Sequence, residues 1–136
     1  MMAQARLAEV SGRRIVVAGA SGFIGRRFIE LAALQPEVRI AGLCRSARSA
    51  AMLSAAGAEA LRVGSDDADA LARAFDGADA FVNLAYDFTA TAAENVELFT
   101  RYIDAAQKAG VRRVVHLSSI VVYAGWPHEA LTEASA

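Results

Sequence analysis

Short apolar segments alternate with longer amphipathic segments along almost the whole chain. The apolar segments are rich in β-branched residues and run into glycine or polar residues, which is typical of buried parallel strands. The segments between them repeat apolar residues every three or four positions, which predicts helices. The predicted strands are 13–19, 38–44, 59–63, 78–84 and 112–118. The predicted helices are 22–34, 47–56, 67–75 and 90–109.

Glycines follow the ends of three predicted helices. Gly57, Gly77 and Gly110 each come just after the last apolar position of a helical segment, where a left-handed residue closes the final turn. Strands separated by helices of this length form right-handed βαβ units, which build a parallel sheet covered on both faces. The predicted fold class is therefore α/β, a doubly wound parallel sheet of about five strands.

The domain organisation follows from the same alternation. We expect one domain over 13–125, preceded by a polar, mobile segment at 1–12 and followed by a loop at 126–136. A chain of 136 residues, 55% hydrophobic and 21% charged, has the length and balance of a single compact core.

Charge and cysteine content narrow the class of function. A net charge of −1 and a pI near 6.1 argue against nucleic acid as a partner, because no uniform positive field is available. Cys44 is the only cysteine, so we expect neither a disulfide nor a metal site, and a reducing cytoplasm fits best. No stretch reaches the roughly 20 apolar residues of a membrane span.

The glycine-rich segment GASGFIG, at 19–25, lies between the first strand and the first helix. Gly19 permits a tight turn, Gly22 leaves room for a phosphate, and Gly25 lets helix and strand pack closely. The helix N-terminus offers N–H groups and partial positive charge to a pyrophosphate. A glycine-rich turn without a ligand is the alternative. The predicted dinucleotide-binding residues of this segment are Gly19, Ser21, Gly22, Phe23, Ile24 and Gly25.

Three segments carry a resemblance to a known family. The GxxGxxG spacing of 19–25 resembles the short-chain dehydrogenase/reductase superfamily. VNLAY, at 82–86, is similar to the motif that ends the fourth strand in its extended, epimerase and dehydratase branch. AGVRRVVHLSSIVVYAG, at 109–125, resembles the fifth strand of that branch with its serine pair. The resemblance implies the NAD(P)-binding, Rossmann-like half of such an enzyme.

The end of the second strand bears on the choice between NAD and NADP. A carboxylate there binds the ribose hydroxyls, whereas an arginine accepts a 2′-phosphate. The sequence reads CRSARS, which places Arg45 and Ser46 at this point and predicts a preference for NADP(H), with NAD(H) as the alternative cofactor. A solvated surface arginine remains the alternative interpretation of Arg45.

The resemblance implies further cofactor contacts. Asp66 stands where the family's aspartate holds the adenine amino group, although an acidic helix cap is the alternative there. The backbone of Leu84, Ala85 and Tyr86 is expected to line the ribose and diphosphate, although the family usually has a small residue in place of Tyr86. Asn95 resembles a family asparagine behind the site, and an ordinary polar helix residue is the alternative.

The serine pair of the fifth strand supplies the catalytic candidate. The resemblance places the catalytic serine at Ser119, whose hydroxyl would bind a substrate carbonyl or alcohol, with Ser118 beside the cofactor. A turn or cap is the alternative for both serines. We interpret His116 as a hydrogen-bonded, partly buried histidine rather than an acid or base.

The resemblance also implies a catalytic tyrosine with a lysine four residues later, which moves the proton and holds the nicotinamide ribose. We expect that pair beyond residue 136, and we expect no hydride transfer by this chain alone. The three tyrosines and the residues four places after them are Tyr86 and Ala90, Tyr102 and Ala106, and Tyr123 and Pro127.

Two main hypotheses of function remain. The first is the NADP(H)-binding portion of an epimerase, dehydratase or reductase that acts on a carbonyl or alcohol compound, a nucleotide sugar included. The second is a non-catalytic NADP(H)-binding or sensing module, and an inactive fragment is a third reading. The fifth strand would expose an apolar face, so either the chain is part of a longer protein or it associates, for example as a homodimer.

Overall fold

The computed structural model describes residues 13–119. The expectations for 1–12, for Tyr123 and for 126–136 lie outside the described residues. Five strands alternate with four helices. The strands are β1 (Arg14–Ala18), β2 (Arg39–Cys44), β3 (Glu59–Arg62), β4 (Ala80–Asn83) and β5 (Arg113–His116). The helices are α1 (Phe23–Ala32), α2 (Ala47–Ala55), α3 (Ala68–Ala74) and α4 (Ala92–Lys108).

The strands form one parallel sheet in the order β3-β2-β1-β4-β5. The chain moves outward from β1 to β3 and then returns to the other side of β1 with β4. This order confirms the predicted doubly wound class. It also creates a switch point between β1 and β4, and ligands of open α/β sheets bind beyond the carboxyl ends of the strands at such a point.

The core consists of two layers, one on each face of the sheet. Val17 of β1 faces Ile29 of α1 and Leu53 of α2. Its neighbour Val16 faces the opposite side, where Phe75 belongs to the layer formed by α3 and α4. Successive strand residues point to opposite faces, so a run of apolar residues in β1 serves both layers.

The helix and strand ends differ from the sequence prediction by one or two residues. The strand predicted at 78–84 begins at Ala80, because the Ala78 N–H donates to the Phe75 carbonyl at 3.0 Å and closes the turn after α3. The three glycines at helix ends have the predicted positive φ, of 87° at Gly57, 67° at Gly77 and 76° at Gly110. None of the helices within 13–119 is long and apolar enough to cross a membrane.

Candidate functional site

A cleft of about 980 Å³ lies at the carboxyl ends of the strands. Its walls are the loops that follow β1, β2, β3 and β4, together with one face of α4. It includes the switch point between β1 and β4. The cleft is thus where the topology predicts ligand binding.

The glycine loop is built on two close backbone approaches. Gly19 has φ of 74°, and a Cβ there would lie 2.6 Å from the carbonyl carbon of Leu84, in the loop after β4. A Cβ on Gly25 would overlap the carbonyl oxygen of Gly19. Only glycine fits these two positions, as the sequence predicted from turn and packing requirements.

Gly22 is less tightly constrained than Gly19 and Gly25, because a side chain there would require only a small shift of one neighbouring backbone atom. Its backbone is extended, with φ of −75° and ψ of 179°, and an added Cβ would meet only the Gly19 carbonyl oxygen, at 3.3 Å. Gly22 lines the cleft and is exposed to it. The missing side chain therefore leaves open space in the cleft, and the phosphate-binding role of Gly22 stays a prediction.

The N-terminus of α1 at this loop has no side-chain cap. Gly22 is its N-cap residue, and the first turn carries no acidic side chain. The other three helices are capped by Ser46, Asp67 and Thr91. An uncapped helix N-terminus above an open glycine cradle is the arrangement that binds a pyrophosphate through backbone N–H groups.

Ser21 and Gly22 line the cleft, whereas the side chains of Phe23 and Ile24 are not in its lining. They are 87% and 51% exposed at the start of α1. The structure therefore does not bring these two predicted residues to the cleft lining.

Arg45 lies directly after β2, exposed and in the cleft lining. No salt bridge within 13–119 engages its guanidinium. Its positive charge acts on Tyr102, where it partly offsets the burial that raises the pKa of the phenol. The adjacent Ser46 accepts a hydrogen bond from the Ser49 N–H at 3.1 Å and caps α2, so it lines the cleft while serving as a helix cap.

The loop after β4, 84–90, forms the opposite wall. The side chain of Asn95 holds this loop to α4. Its Oδ1 accepts from the Asp87 N–H at 2.8 Å, and its Nδ2 donates to the Asp87 carbonyl at 2.9 Å and to the Thr91 carbonyl at 3.1 Å. Asn95 is thus a positioning residue for the wall that contains Leu84, Ala85 and Tyr86.

Asn83 at the end of β4 is buried and joins three segments. Its Oδ1 accepts from the Ala85 N–H at 3.2 Å, so its Nδ2 is the donor to His116 Nδ1 at 3.0 Å. His116 is hydrogen-bonded as expected, and its ring lies against Phe99 with centroids 4.4 Å apart. The expectation of partial burial was wrong, because β5 is the edge strand and leaves His116 exposed.

Asp66 and the serine pair do not belong to the cleft lining, which includes Ser65 after β3 instead. Asp67, not Asp66, caps α3 by accepting from the Ala70 N–H at 2.9 Å. Ser118 and Ser119 follow β5 and are exposed. Within 13–119, no three His, Cys, Asp or Glu side chains are grouped as metal ligands.

The structure also brings residues to the cleft that the sequence analysis did not single out. They lie on one face of α4, at the end of β2, in the first turn of α2 or in the loops that follow the strands. On α4 the spacing of three and four residues was the available signal. The α4 residues are Glu94, Glu97, Leu98, Arg101 and Tyr102. The others are Leu43, Cys44, Ser49, Val63, Ser65, Asp87, Phe88, Thr89 and Ala90.

Solved structures with the same fold include a short-chain dehydrogenase/reductase superfamily protein, a quinone oxidoreductase and an epimerase. A short-chain dehydrogenase/reductase superfamily protein from Agrobacterium tumefaciens with bound NAD is 31% identical, with a TM-score of 0.66 over 82% of this chain and 34% of that one. An NADPH-dependent quinone oxidoreductase from Escherichia coli, complexed with NADPH, is 23% identical, with a TM-score of 0.62 over 75% and 35%. A nucleoside-diphosphate-sugar epimerase from Pseudomonas aeruginosa is 19% identical, with a TM-score of 0.66 over 79% and 34%.

This chain spans about a third of the length of these three structures. No curated protein matches it. A family model described as NAD(P)H-binding matches residues 19–135, from the glycine loop onward. Because that match includes every loop that borders the cleft, the chain belongs to the NAD(P)H-binding family and has the Rossmann-like fold of the short-chain dehydrogenases and reductases.

Proposed function

We propose that this chain is the NADP(H)-binding part of an oxidoreductase or epimerase of the extended short-chain dehydrogenase type, which acts on a carbonyl or alcohol compound. The observation that carries the proposal is the cleft itself. An open glycine cradle and an uncapped helix N-terminus face Arg45 across the ends of β1 and β2. A bound nicotinamide dinucleotide would supply or accept a hydride there.

Different residues of the chain would bind different parts of the dinucleotide. The backbone of 19–25 and the N-terminus of α1 would hold the pyrophosphate. Arg45 and Ser46 would bind the phosphorylated adenosine ribose, and Ser65 or the neighbouring Asp66 the adenine. The backbone of Leu84, Ala85 and Tyr86, held in place through Asn95, would orient the remaining ribose and diphosphate.

Ser119 is the proposed catalytic residue, with Ser118 beside the cofactor. Both follow β5, the neighbour of β4 in the sheet, so they lie at the carboxyl edge that borders the cleft. The Ser119 hydroxyl would form a hydrogen bond with the substrate oxygen. That oxygen is attached to the carbon that gains or loses the hydride. This role orients the substrate and leaves the proton transfer to another group.

A non-catalytic NADP(H)-binding module is the second candidate. It is favoured by one observation, since neither serine contributes to the cleft lining. The two candidates share the cofactor site and differ only in whether the whole protein transfers a hydride between the cofactor and a substrate.

The preference for NADP(H) rests on the charge at Arg45. The 2′-phosphate carries up to two negative charges, and a guanidinium can meet it with a charge-assisted pair worth roughly 1.5–3 kcal/mol. That corresponds to about tenfold to a hundredfold in affinity. The Arg45 guanidinium forms no ion pair within 13–119, so the contact would break no salt bridge there.

Paired dissociation constants for NADPH and NADH test this preference. We expect the parent chain to favour NADPH, Arg45→Asp to reverse the order, and Arg45→Lys to keep only part of the preference because lysine has no planar fork. Arg48→Asp is the matched control, because Arg48 is exposed on α2 and outside the cleft lining. All titrations use one salt concentration, since screening weakens the phosphate contact. Equal binding of both cofactors by the parent chain would overturn the assignment.

A further inference from the structure

Tyr102 lies on α4 in the cleft lining, where the charge of Arg45 reaches its phenol. We propose that Tyr102 is a second residue that selects NADP(H) over NAD(H), because its hydroxyl donates a hydrogen bond to the 2′-phosphate of the adenosine ribose. The inference rests on the proposed function, since it adds a contact to the same cofactor site. It concerns α4, whereas the 2′-phosphate contacts proposed above all follow β2.

The Tyr102 hydroxyl is available to a ligand. It makes no hydrogen bond within 13–119. Every buried side-chain oxygen or nitrogen of these residues has a partner, so this unpaired hydroxyl is accessible from the cleft. A phenol O–H can both donate and accept. A ligand that takes this hydrogen bond would therefore break none that the fold uses.

The ring that carries the hydroxyl is held in place by the core. It packs edge-to-face on Phe81, with ring centroids 5.9 Å apart and an interplanar angle of 71°. Phe81 is fully buried in β4, and Tyr102 is half-buried against the layer formed by α3 and α4. A side chain fixed in this way loses little conformational freedom when it binds a ligand.

Burial keeps the phenol in the form that donates. It raises the pKa of Tyr102 above its ordinary value, and the positive charge of Arg45 only partly offsets this effect. The hydroxyl thus stays protonated at neutral pH, and a neutral O–H meets a phosphate without charge repulsion. A hydrogen bond to a charged acceptor is about twice as strong as one between neutral groups.

The arginines of the cleft indicate where the phosphate would lie. Within 13–119 the cleft lining contains Arg45 and Arg101. Arg101 is paired with Glu97 at 2.6 Å, whereas Arg45 has no ion pair within these residues. A phosphate bound to Arg45 would lie in the part of the cleft where the charge of Arg45 reaches Tyr102. Contact of the hydroxyl with adenine is the alternative, and NADH distinguishes the two because it has the same adenine.

Paired titrations of NADPH and NADH into the parent chain and Tyr102→Phe test the inference. The substitution removes one oxygen and keeps the ring on Phe81. We expect NADPH affinity to fall about ten- to a hundredfold, as the loss of a hydrogen bond to a charged group does. NADH affinity should stay the same, because NADH has no 2′-phosphate. Adenosine 2′,5′-bisphosphate and adenosine 5′-monophosphate, which differ only in that phosphate, should show the same contrast without the nicotinamide half.

Thr100→Val is the matched control. It also removes one hydroxyl from α4, but Thr100 lies outside the cleft lining and donates to the Val96 carbonyl. It should change neither cofactor affinity. Urea unfolding of Tyr102→Phe should give the same free energy as the parent chain, since the Tyr102 hydroxyl has no partner within 13–119 to lose. All titrations use one salt concentration.

Two results would overturn the inference and leave the proposed function intact. These are an NADPH affinity unchanged in Tyr102→Phe, and equal losses for NADPH and NADH, which would make adenine the partner of the hydroxyl. Failure of the proposed function looks different. In that case the parent chain binds neither dinucleotide, or binds both equally, and the inference about Tyr102 fails with it.

Discussion

Asn95 shows how one side chain can determine the shape of a cleft wall. It makes three hydrogen bonds to the backbone of Asp87 and Thr91. Asn95→Leu leaves the partly buried N–H and carbonyl of Asp87 without their partner, whereas the Thr91 carbonyl keeps the backbone N–H of residue 95, so we expect a loss of about 1–3 kcal/mol in the free energy of unfolding. Dinucleotide affinity should fall as well, because the loop at 84–90 is released.

Urea unfolding of Asn95→Leu and of Gln107→Leu measures this contribution. Gln107 is an exposed polar residue of the same helix, so its replacement reports the cost of leucine on α4 without a loop contact. If the two variants unfold with the same free energy and bind NADPH equally, Asn95 is an ordinary polar helix residue.

Residue roles were predictable where one residue type alone meets a local requirement. Gly19 and Gly25 were singled out because a turn and a close helix approach exclude other residues, and the structure shows both requirements. Gly22 lines the cleft with an ordinary φ, so the expectation that it leaves room for a phosphate depends on space alone and stays a prediction. The pairing of Asn95 with Asp87 joins residues eight positions apart through a loop, and no periodicity indicates it.

The N-terminus of α4 shows how side chains cap a helix end. Thr91 accepts from the Glu94 N–H at 3.2 Å, and Glu94 accepts from the Thr91 N–H at 2.7 Å and from the Thr91 hydroxyl at 2.8 Å. This capping box satisfies N–H groups that the helix itself leaves free. It also explains why α4 begins at Ala92 rather than at residue 90.

Thr91→Ala should lower the free energy of unfolding at neutral pH by about 1 kcal/mol, the usual effect of losing a threonine cap. Thr100→Ala is the control, because Thr100 lies in the interior of the same helix and donates only to the Val96 carbonyl. Urea unfolding of both variants gives the comparison. Equal free energies would show that the cap contributes nothing to stability.

The same comparison has a pH dependence with a definite sign. The hydrogen bonds from Thr91 lower the pKa of the Glu94 carboxyl in the folded chain. A lowered pKa contributes stability above the unfolded value of the group, and that stability is lost as the pH falls through the folded value. Thr91→Ala keeps the hydrogen bond from the backbone N–H and removes the one from the hydroxyl, so the part of the stability difference that the hydroxyl contributes through Glu94 should shrink in acid.

The order of elements was predictable because each has its own period along the chain. Strands and helices were all found, and the errors lie at the ends, as at Ala80 and Ala92. Caps and turns decide those ends, and they depend on hydrogen bonds between a few residues rather than on a repeated pattern.

At the scale of the whole molecule, the doubly wound parallel class followed from the alternation of strand and helix, whereas the strand order and the cleft did not. Right-handed crossovers leave few ways to arrange five parallel strands. The cleft, by contrast, depends on which face of α4 borders the loops that follow the strands. Residues such as Arg101 and Tyr102 enter it only through that packing, and the sequence gives them no motif.

The central claim is that the glycine loop of this chain binds a dinucleotide. Calorimetric titration of NADPH into the parent chain, Gly22→Val and Ala33→Val tests it most directly. Ala33 is exposed at the other end of α1, so its replacement adds the same side chain away from the cleft. Circular dichroism establishes that all three chains keep their helix content.

We expect the parent chain and Ala33→Val to bind NADPH with similar affinity and Gly22→Val to show no binding, because its side chain occupies the space left for the pyrophosphate. Equal NADPH affinity in all three folded chains, or none in the parent chain, would contradict the account.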